Sequence, residues 1–429
     1  MRKRLARIAF VLFSISLLAA QRGAWAQAAP PPDMSPPAPP ADAPPPPPAP
    51  PPMESNAAPM APGAPPMAAS TPPTPSFKND IGNGSTLKVG LLLQPQFQSL
   101  GSTALNGNSY NLFIRRTRLL VSGSLFGQFD YFFDTDYPNL FLADNTQADA
   151  MTGAAASTVK LTPGMNIQDA FITWKPLGDV FKIDAGYMLP PMAHNAVQGA
   201  GTLYSWDYFS FTFLSTANTL LGSQASPVGR DLGVQLRGLL LDGHLEYRAG
   251  LFQGLRDTDT ATNVGSNNFF RATGRIQVNL FDAEPGFFYA GTYLGKKKIL
   301  SFGISGDTQS SYHYFSGDGF ADLPVGPGVF TAQVDVAHWN GGTFIAGLPK
   351  ETAVMGEAGY NFDAIHVSPI LHGEYLWSTV ANQSHLGGGL AFWPYGHTAN
   401  LKAFYTRNTE TGAPHGDNQF NLQWQLYFL

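Results

Sequence analysis

The chain has 429 residues, no cysteine, 13% charged side chains and a formal net charge of −5. The lack of cysteine excludes disulfides, thiolate metal sites and acylation as a lipoprotein. Net acidity without a basic stripe disfavours nucleic-acid binding.

Arg2, Lys3, Arg4 and Arg7 precede an apolar run from Ile8 to Ala20, and Ala24-Trp25-Ala26 offers small residues where a signal peptidase reads. Residues 1–26 therefore read as a secretory signal peptide. About thirteen apolar residues are too few to cross a hydrocarbon core of ~30 Å as a helix. Residues 27–77 hold most of the 36 prolines, mixed with Ala, Met and Ser. Such a stretch has too few large apolar side chains to offset its ordering entropy, so a disordered, polyproline-like periplasmic linker is expected.

Residues 78–429 read as one all-β domain, because short alternating segments recur without a break in composition. In Leu87 to Phe97 the apolar phase is Leu87, Val89, Leu91, Leu93 and Phe97. In Phe113 to Leu125 it is Phe113, Thr117, Leu119, Val121 and Leu125. Phe270 to Leu280 and Val329 to Trp339 divide in the same way. The last segment sets Phe420, Leu422, Trp424, Leu426 and Phe428 against Asn421, Gln423 and Gln425. A strand that crosses a bilayer needs ~9–11 residues. With a short turn at one end and a longer loop at the other, the spacing is roughly 22 residues, which predicts a transmembrane antiparallel β-barrel of about sixteen strands. A barrel of that width is expected to hold a water-filled lumen rather than a packed core. An even strand number puts both ends of the domain on the periplasmic side of a bacterial outer membrane, and the terminal strand would close the barrel and carry its assembly signal.

Parity also assigns the lumen. Arg116, Arg118, Arg237, Arg248, Arg271 and Arg275 lie opposite the apolar phase, where a guanidinium avoids the cost of about 2–4 kcal/mol of a mid-depth lipid position. They are expected to form a basic strip along an anion path. Asp130, Asp134, Asp136, Asp169 and Asp184 share the inward phase on neighbouring strands and are expected to form an acidic wall facing that strip. The plainer reading of the same residues is a set of structural salt bridges. The connection from Met188 to Gly229 is too long for a tight turn and is either functional or an ordinary outer loop. Its aromatic residues, Tyr204, Trp206, Tyr208 and Phe209, suit loop packing or stacking on sugars. Lys296-Lys297-Lys298 reads as a solvated turn between strands.

No nucleophile elbow, phosphate-binding loop or zinc helix is present, so no enzyme, catalytic residue, cofactor or metal is expected. His372 and Glu374 share a strand face, as such pairs do by chance in most chains. Asp257-Thr258-Asp259 lacks the glycine and glutamate of a calcium loop.

Several motifs together resemble the phosphate-selective porin O and P family. They are Ile114-Arg115-Arg116-Thr117-Arg118-Leu119 with Gly123-Ser124-Leu125-Phe126-Gly127, Gln168-Asp169-Ala170-Phe171-Ile172, and Asp184-Ala185-Gly186-Tyr187 leading to Pro190-Pro191. Gly229-Arg230-Asp231-Leu232-Gly233-Val234 and Tyr247-Arg248-Ala249-Gly250-Leu251-Phe252-Gln253-Gly254 are the sharpest. The resemblance implies a homotrimer of sixteen-stranded barrels, each narrowed by an inward-folded loop, here Met188 to Gly229. The family's strongly anion-selective members line their pores with arginine and lysine, whereas this chain is net acidic. The expected function is passive diffusion of small hydrophilic solutes, with anions or phosphate as the preferred class. The alternative is a structural or adhesive outer-membrane barrel with a closed lumen. Expected partners are outer-membrane lipid, the permeating solutes or anions, and the barrel-assembly machinery acting on the C-terminal strand. The family usually ends on an aromatic residue, the place Phe428 holds, so Leu429 extends beyond that end on the lumen phase.

Overall fold

In a computed structural model of the protein, the described residues are 77–102, 107–144, 159–160, 164–212, 229–255, 269–345, 347–412 and 416–429. The signal peptide, the proline-rich linker up to 76, Asp257-Thr258-Asp259 and the second half of the Met188 to Gly229 connection lie outside them.

The wall consists of β1 (Ser85–Ser102), β2 (Gly107–Leu125), β3 (Phe129–Asp136), β4 (Asn166–Trp174), β5 (Lys182–Met188), β6 (Asp231–Leu240), β7 (Leu245–Phe252) and β8 (Arg271–Asn279). It continues with β9 (Ile299–Gln309), β10 (Tyr312–Val325), β11 (Gly328–Asn340), β12 (Glu351–Phe362), β13 (Val367–Ser378), β14 (Gln383–Phe392), β15 (Ala399–Glu410) and β16 (Asp417–Phe428). Each strand pairs antiparallel with the next. β16 then pairs with β1, from Asp417 opposite Ser102 to Phe428 opposite Leu91, and closes a 16-strand barrel.

The burial pattern is inverted relative to a soluble core. On β16, Phe420, Leu422, Trp424 and Leu426 are exposed while Asn421, Gln423 and Gln425 are fully buried. On β8, Ile276 and Val278 are exposed, and Arg271, Arg275 and Gln277 are buried. An apolar outer face and a polar inner face are what a wall needs when lipid lies outside it. No helix among the described residues is long and apolar enough to cross a membrane.

Two local features depart from the sequence reading. Parity placed Phe113 outward with Thr117 and Leu119. Instead Phe113 is buried, and Tyr110 and Leu112 face out. The register between β1 and β2 slips here: Leu93 faces Thr117 while Pro95 faces Ile114. This irregularity inserts one residue and flips the phase beyond it. The second feature is a short strand, Phe77–Gly82, that folds back on β1 through Asn83-Gly84. Both turn residues have positive φ, 52° and 69°, the geometry a two-residue hairpin favours and asparagine-glycine adopts readily. The strand begins where β16 stops along β1, with the Phe77 and Phe428 ring centroids 5.8 Å apart.

Connections at the end shared by the start of β1 and the finish of β16 are short, such as 326–327 between β10 and β11. One is not. Between β8 and β9 the chain runs from 280 to 298 and turns into the barrel.

Candidate functional site

Two segments enter the lumen from opposite mouths. From the long-loop mouth, the described part of the connection after β5, up to Thr212, folds inward. From the short-turn mouth comes the β8–β9 connection. They meet in a short parallel bridge. The Tyr289 N–H donates to the Val197 carbonyl at 3.1 Å, the Gly199 N–H to the Tyr289 carbonyl at 3.0 Å, and the Gly291 N–H to the Thr202 carbonyl at 2.9 Å. His194 Nε2 lies 3.1 Å from Glu284 Oε2, so a side-chain clamp joins the same two segments. In the tautomer that donates to Glu284, Nδ1 accepts from Gln198 Nε2 at 3.0 Å.

The inward fold of the first segment agrees with the constriction loop that the resemblance implies. The second insertion was not anticipated, and it changes the expectation of a purely water-filled lumen. Among the described residues the lumen holds packed apolar clusters. Phe287 packs with Phe171, Met188, Leu189 and Phe252, flanked by Phe288. Met192, Phe209 and Phe211 pack on Tyr312, Tyr314, Trp339 and Met355 of the inner wall. Tyr204 packs with Ile370, Trp393 and Phe404, and Trp206 lies against this group. The loop aromatics therefore face the wall as packing groups, and Tyr208 donates its hydroxyl to the Gln198 carbonyl at 2.7 Å.

The arginines assigned to the lumen all stand on its inner face, and each has partners. Arg237 Nη1 donates to the Pro285 carbonyl at 3.2 Å, and Arg248 Nη1 to the Phe287 carbonyl at 2.8 Å. Both guanidiniums also lie against the Phe287 ring, at 5.6 and 5.9 Å from its centroid. Lys182 Nζ reaches the Pro285 carbonyl at 3.0 Å. Arg275 donates to the Met192 carbonyl at 3.1 Å and to the Tyr289 hydroxyl at 3.3 Å, so it touches both insertions. Arg116 pairs with Asp207 at 2.5 Å, and Arg115 pairs with the same carboxylate at 2.8 Å. Burial disfavours a charged Asp207, but the two guanidiniums outweigh it and hold its carboxyl well below the usual range. The basic strip serves as a socket: guanidinium groups take up backbone carbonyls and a loop carboxylate that insertion would otherwise leave unsatisfied.

Basic and acidic residues are neighbours rather than opposed walls. Arg118 bonds Asp134 at 3.3 Å and Asp136 at 3.0 Å; Arg237 bonds Asp184 at 2.7 Å; Arg230 bonds Asp169 at 3.0 Å. Arg271 bonds Asp307 at 2.6 Å, Arg275 bonds Asp318 at 2.5 Å, and Arg248 bonds Glu246 at 2.7 Å. Asp130 stands apart at the short-turn rim, paired with Lys175 at 2.7 Å and substantially exposed. The reason is strand register. Asp184 faces Gln235 across β5 and β6, one pleat from Arg237, and Asp134 faces Asp169 across β3 and β4.

Residues missed by sequence reasoning include Lys402, whose Nζ donates to the Leu203 and Ser205 carbonyls at 2.7 and 2.8 Å. Glu374 accepts from the Ser210 hydroxyl and the Phe211 N–H, both at 3.1 Å, and from His372 Nε2 at 2.8 Å. The His372–Glu374 pair thus has a place, fastening the first insertion to the wall. Lys296 and Lys298 are exposed at the short-turn mouth, whereas Lys297 turns back to donate to the Ala283 carbonyl at 2.9 Å. Among the described residues no group of side chains could hold a metal ion.

No known family's sequence profile matches the chain, and no curated protein matches it. Among solved structures, it is similar to the anion-selective porin from Comamonas acidovorans, with a TM-score of 0.54 and 12% identity over 80% of this chain and 100% of that one. The fold is the porin barrel. The outer membrane channel DcaP of Acinetobacter baumannii aligns with a TM-score of 0.49 and 11% identity, over 82% of this chain and 99% of that one. Within this porin barrel, the segment from 280 to 298 ties to the loop that enters from the other side.

That tie is acid-sensitive. Burial raises the Glu284 carboxyl, but the His194 ring and donors from His194, Tyr293 and Gln277 outweigh it and bring it below the ordinary glutamate value. A carboxyl lowered on folding contributes stability that is complete above its unfolded value and is lost as pH falls through the folded one. Amide exchange within 284–293 is therefore expected to accelerate at acid pH, and Glu284→Gln should remove that pH dependence.

Proposed function

We propose that the protein is an outer-membrane channel for passive diffusion of small hydrophilic solutes, with passage limited by the two inserted segments. The observation that carries this reading is the inverted wall, apolar outside and polar inside, around a lumen narrowed from both ends. The pairing of all six predicted arginines argues for weak ionic selectivity: a guanidinium bonded to a buried carboxylate adds little net field to the lumen. Phosphate preference draws on the sequence resemblance alone, and the paired arginines do not support it. Assembly as a homotrimer also rests on the resemblance.

The test is the purified full-length protein in planar bilayers. Discrete conductance steps with a reversal potential near zero in a KCl gradient are expected. A strongly anion-selective reversal potential would overturn the weak-selectivity reading, and absence of any step would favour the second reading. That second reading, a barrel sealed inside, is favoured by the packed apolar clusters between insertions and wall.

A further inference from the structure

A groove of about 590 Å³ crosses the outer face of the wall from β9 to β13. Strand register explains its shape. Leu300, Ala321, Ala332, Ala358 and Leu371 stand opposite one another in one row, and Phe302, Gly319, Val334, Gly356 and Gly373 in the next. Apart from Val334, the three middle strands carry only glycine and alanine in these rows. Larger outward side chains rise on either side, Ile304, Val336 and Val354 toward the long-loop mouth and Phe330 and Tyr360 toward the short-turn mouth. The groove ends at β8, where exposed Val278 and Leu280 stand beside Phe302 and Leu300. Four spacings of ~4.8 Å between five strands give it a length of about 19 Å. An elongated apolar trough open to the bilayer fits an extended hydrocarbon chain. Lipid tails are as apolar as the wall, so a chain is held there by close packing, which glycine and alanine permit.

Charge lies at one end. Lys298 continues the outward row of Phe302 and Leu300, about 7 Å beyond Leu300 along the strand. Its Nζ lies 3.9 Å from the centroid of the Phe281 ring, which is itself exposed. Lys296 is exposed two residues earlier. Neither lysine forms an ion pair with a described residue, and the neighbouring Asp282 carboxylate accepts the Lys298 backbone N–H. Unpaired lysines at the edge of a lipid-facing wall attract anionic headgroups.

We infer that this groove binds one anionic glycerophospholipid, with an acyl chain over Gly319, Ala332 and Gly356 and the headgroup phosphate on Lys298 and Lys296. The inference rests on the wall facing lipid, and it holds whether the lumen is open or sealed.

Native mass spectrometry of the full chain, folded in detergent, with phosphatidylglycerol or phosphatidylcholine of identical chains tests it. One phosphatidylglycerol should be retained at least about fivefold more tightly than phosphatidylcholine, the factor for one lysine near an anionic surface. Lys296→Gln combined with Lys298→Gln should remove that preference. Gly319→Leu and Gly373→Leu, made singly, should each fill the groove and abolish the single-lipid adduct. Both positions have room for a side chain: a Cβ at Gly319 would lie 3.4 Å from the Phe302 ring, and one at Gly373 would lie 3.3 Å from Leu386 Cδ2. Flotation of the same protein with liposomes checks the membrane placement separately from the site. Equal retention of the two lipids, or retention indifferent to the lysine or glycine substitutions, would overturn the assignment. So would a lipid-free oligomer that Gly373→Leu dissociates, which would give the groove to a second copy of this chain.

Discussion

Replacing Ala283 to Lys297 with a two-residue Asn-Gly turn is expected to raise the step conductance of the barrel several-fold. The flanking ladder supports such a junction. The Asp282 N–H donates to the Lys298 carbonyl at 2.9 Å, and the Lys298 N–H to Asp282 Oδ2 at 2.8 Å. β8 and β9 also remain paired from Asn279 opposite Ser301 through Ala272 opposite Thr308. A hairpin joined by Asn-Gly is the ordinary solution for two antiparallel strands at this separation. The deletion removes Phe287, Phe288 and Tyr289 from the lumen and with them the cross-lumen bridge to Val197 and Gly199. It leaves Lys182, Arg237 and Arg248 without the Pro285, Gly286 and Phe287 carbonyls, but facing water from the opened mouth. Arg237 keeps Asp184 and Arg248 keeps Glu246, and Asp322, which loses the Thr292 hydroxyl and the Tyr293 N–H, keeps the Thr331 hydroxyl and meets water from the same opened mouth. The wall should therefore survive the change. If the variant folds and its conductance equals that of the parent, the connection does not restrict the lumen and the first insertion alone sets its width.

The wall was legible in the sequence because lipid contact imposes a period of two on every strand, and β16 and β8 follow it throughout. The reading failed where one extra residue broke the period, as between Leu93 and Ile114, since parity counting carries no information about a bulge. The Asn83-Gly84 hairpin does have a signal, a turn pair flanked by extended residues, although the clear alternation begins only at Leu87. The β8–β9 insertion had a subtler one. Pro285-Gly286 and the run Phe287-Phe288-Tyr289 sit in a connection long enough to leave the rim. An aromatic run in such a place must either meet lipid or turn inward. The six arginines are buried on the inner face, but period alone cannot say whether such a guanidinium meets water, a carboxylate or a folded-in carbonyl. That depends on strand register and on loops, which parity does not encode.

Arg275 is where the pore-strip and socket readings diverge most. Arg275→Met is expected to lower unfolding stability by about 3–5 kcal/mol, the range for removing one partner of a buried ion pair. Its guanidinium bonds both oxygens of Asp318, at 2.5 and 2.8 Å, and reaches Ser305, Gln277, Tyr289 and Met192, all within the buried lumen. Without it, Asp318 retains the His194 N–H at 3.3 Å and lies near Asp335, which in turn accepts from the Asn195 N–H at 3.2 Å. Two carboxylates then share the site with backbone donors alone, at a low effective dielectric. Arg275→Met combined with Asp318→Leu removes both charges and should recover much of the loss, giving a coupling energy on the order of 0.5–3 kcal/mol in a double-mutant cycle. Denaturant unfolding in detergent measures all three variants. The pore-strip reading expects the reverse: Arg275→Met folds as stably as the parent while its reversal potential shifts away from anions. A stable single variant with altered selectivity would show that the guanidinium faces an aqueous path. A destabilised single variant, rescued by the second substitution, would place it in the socket that holds the two insertions together.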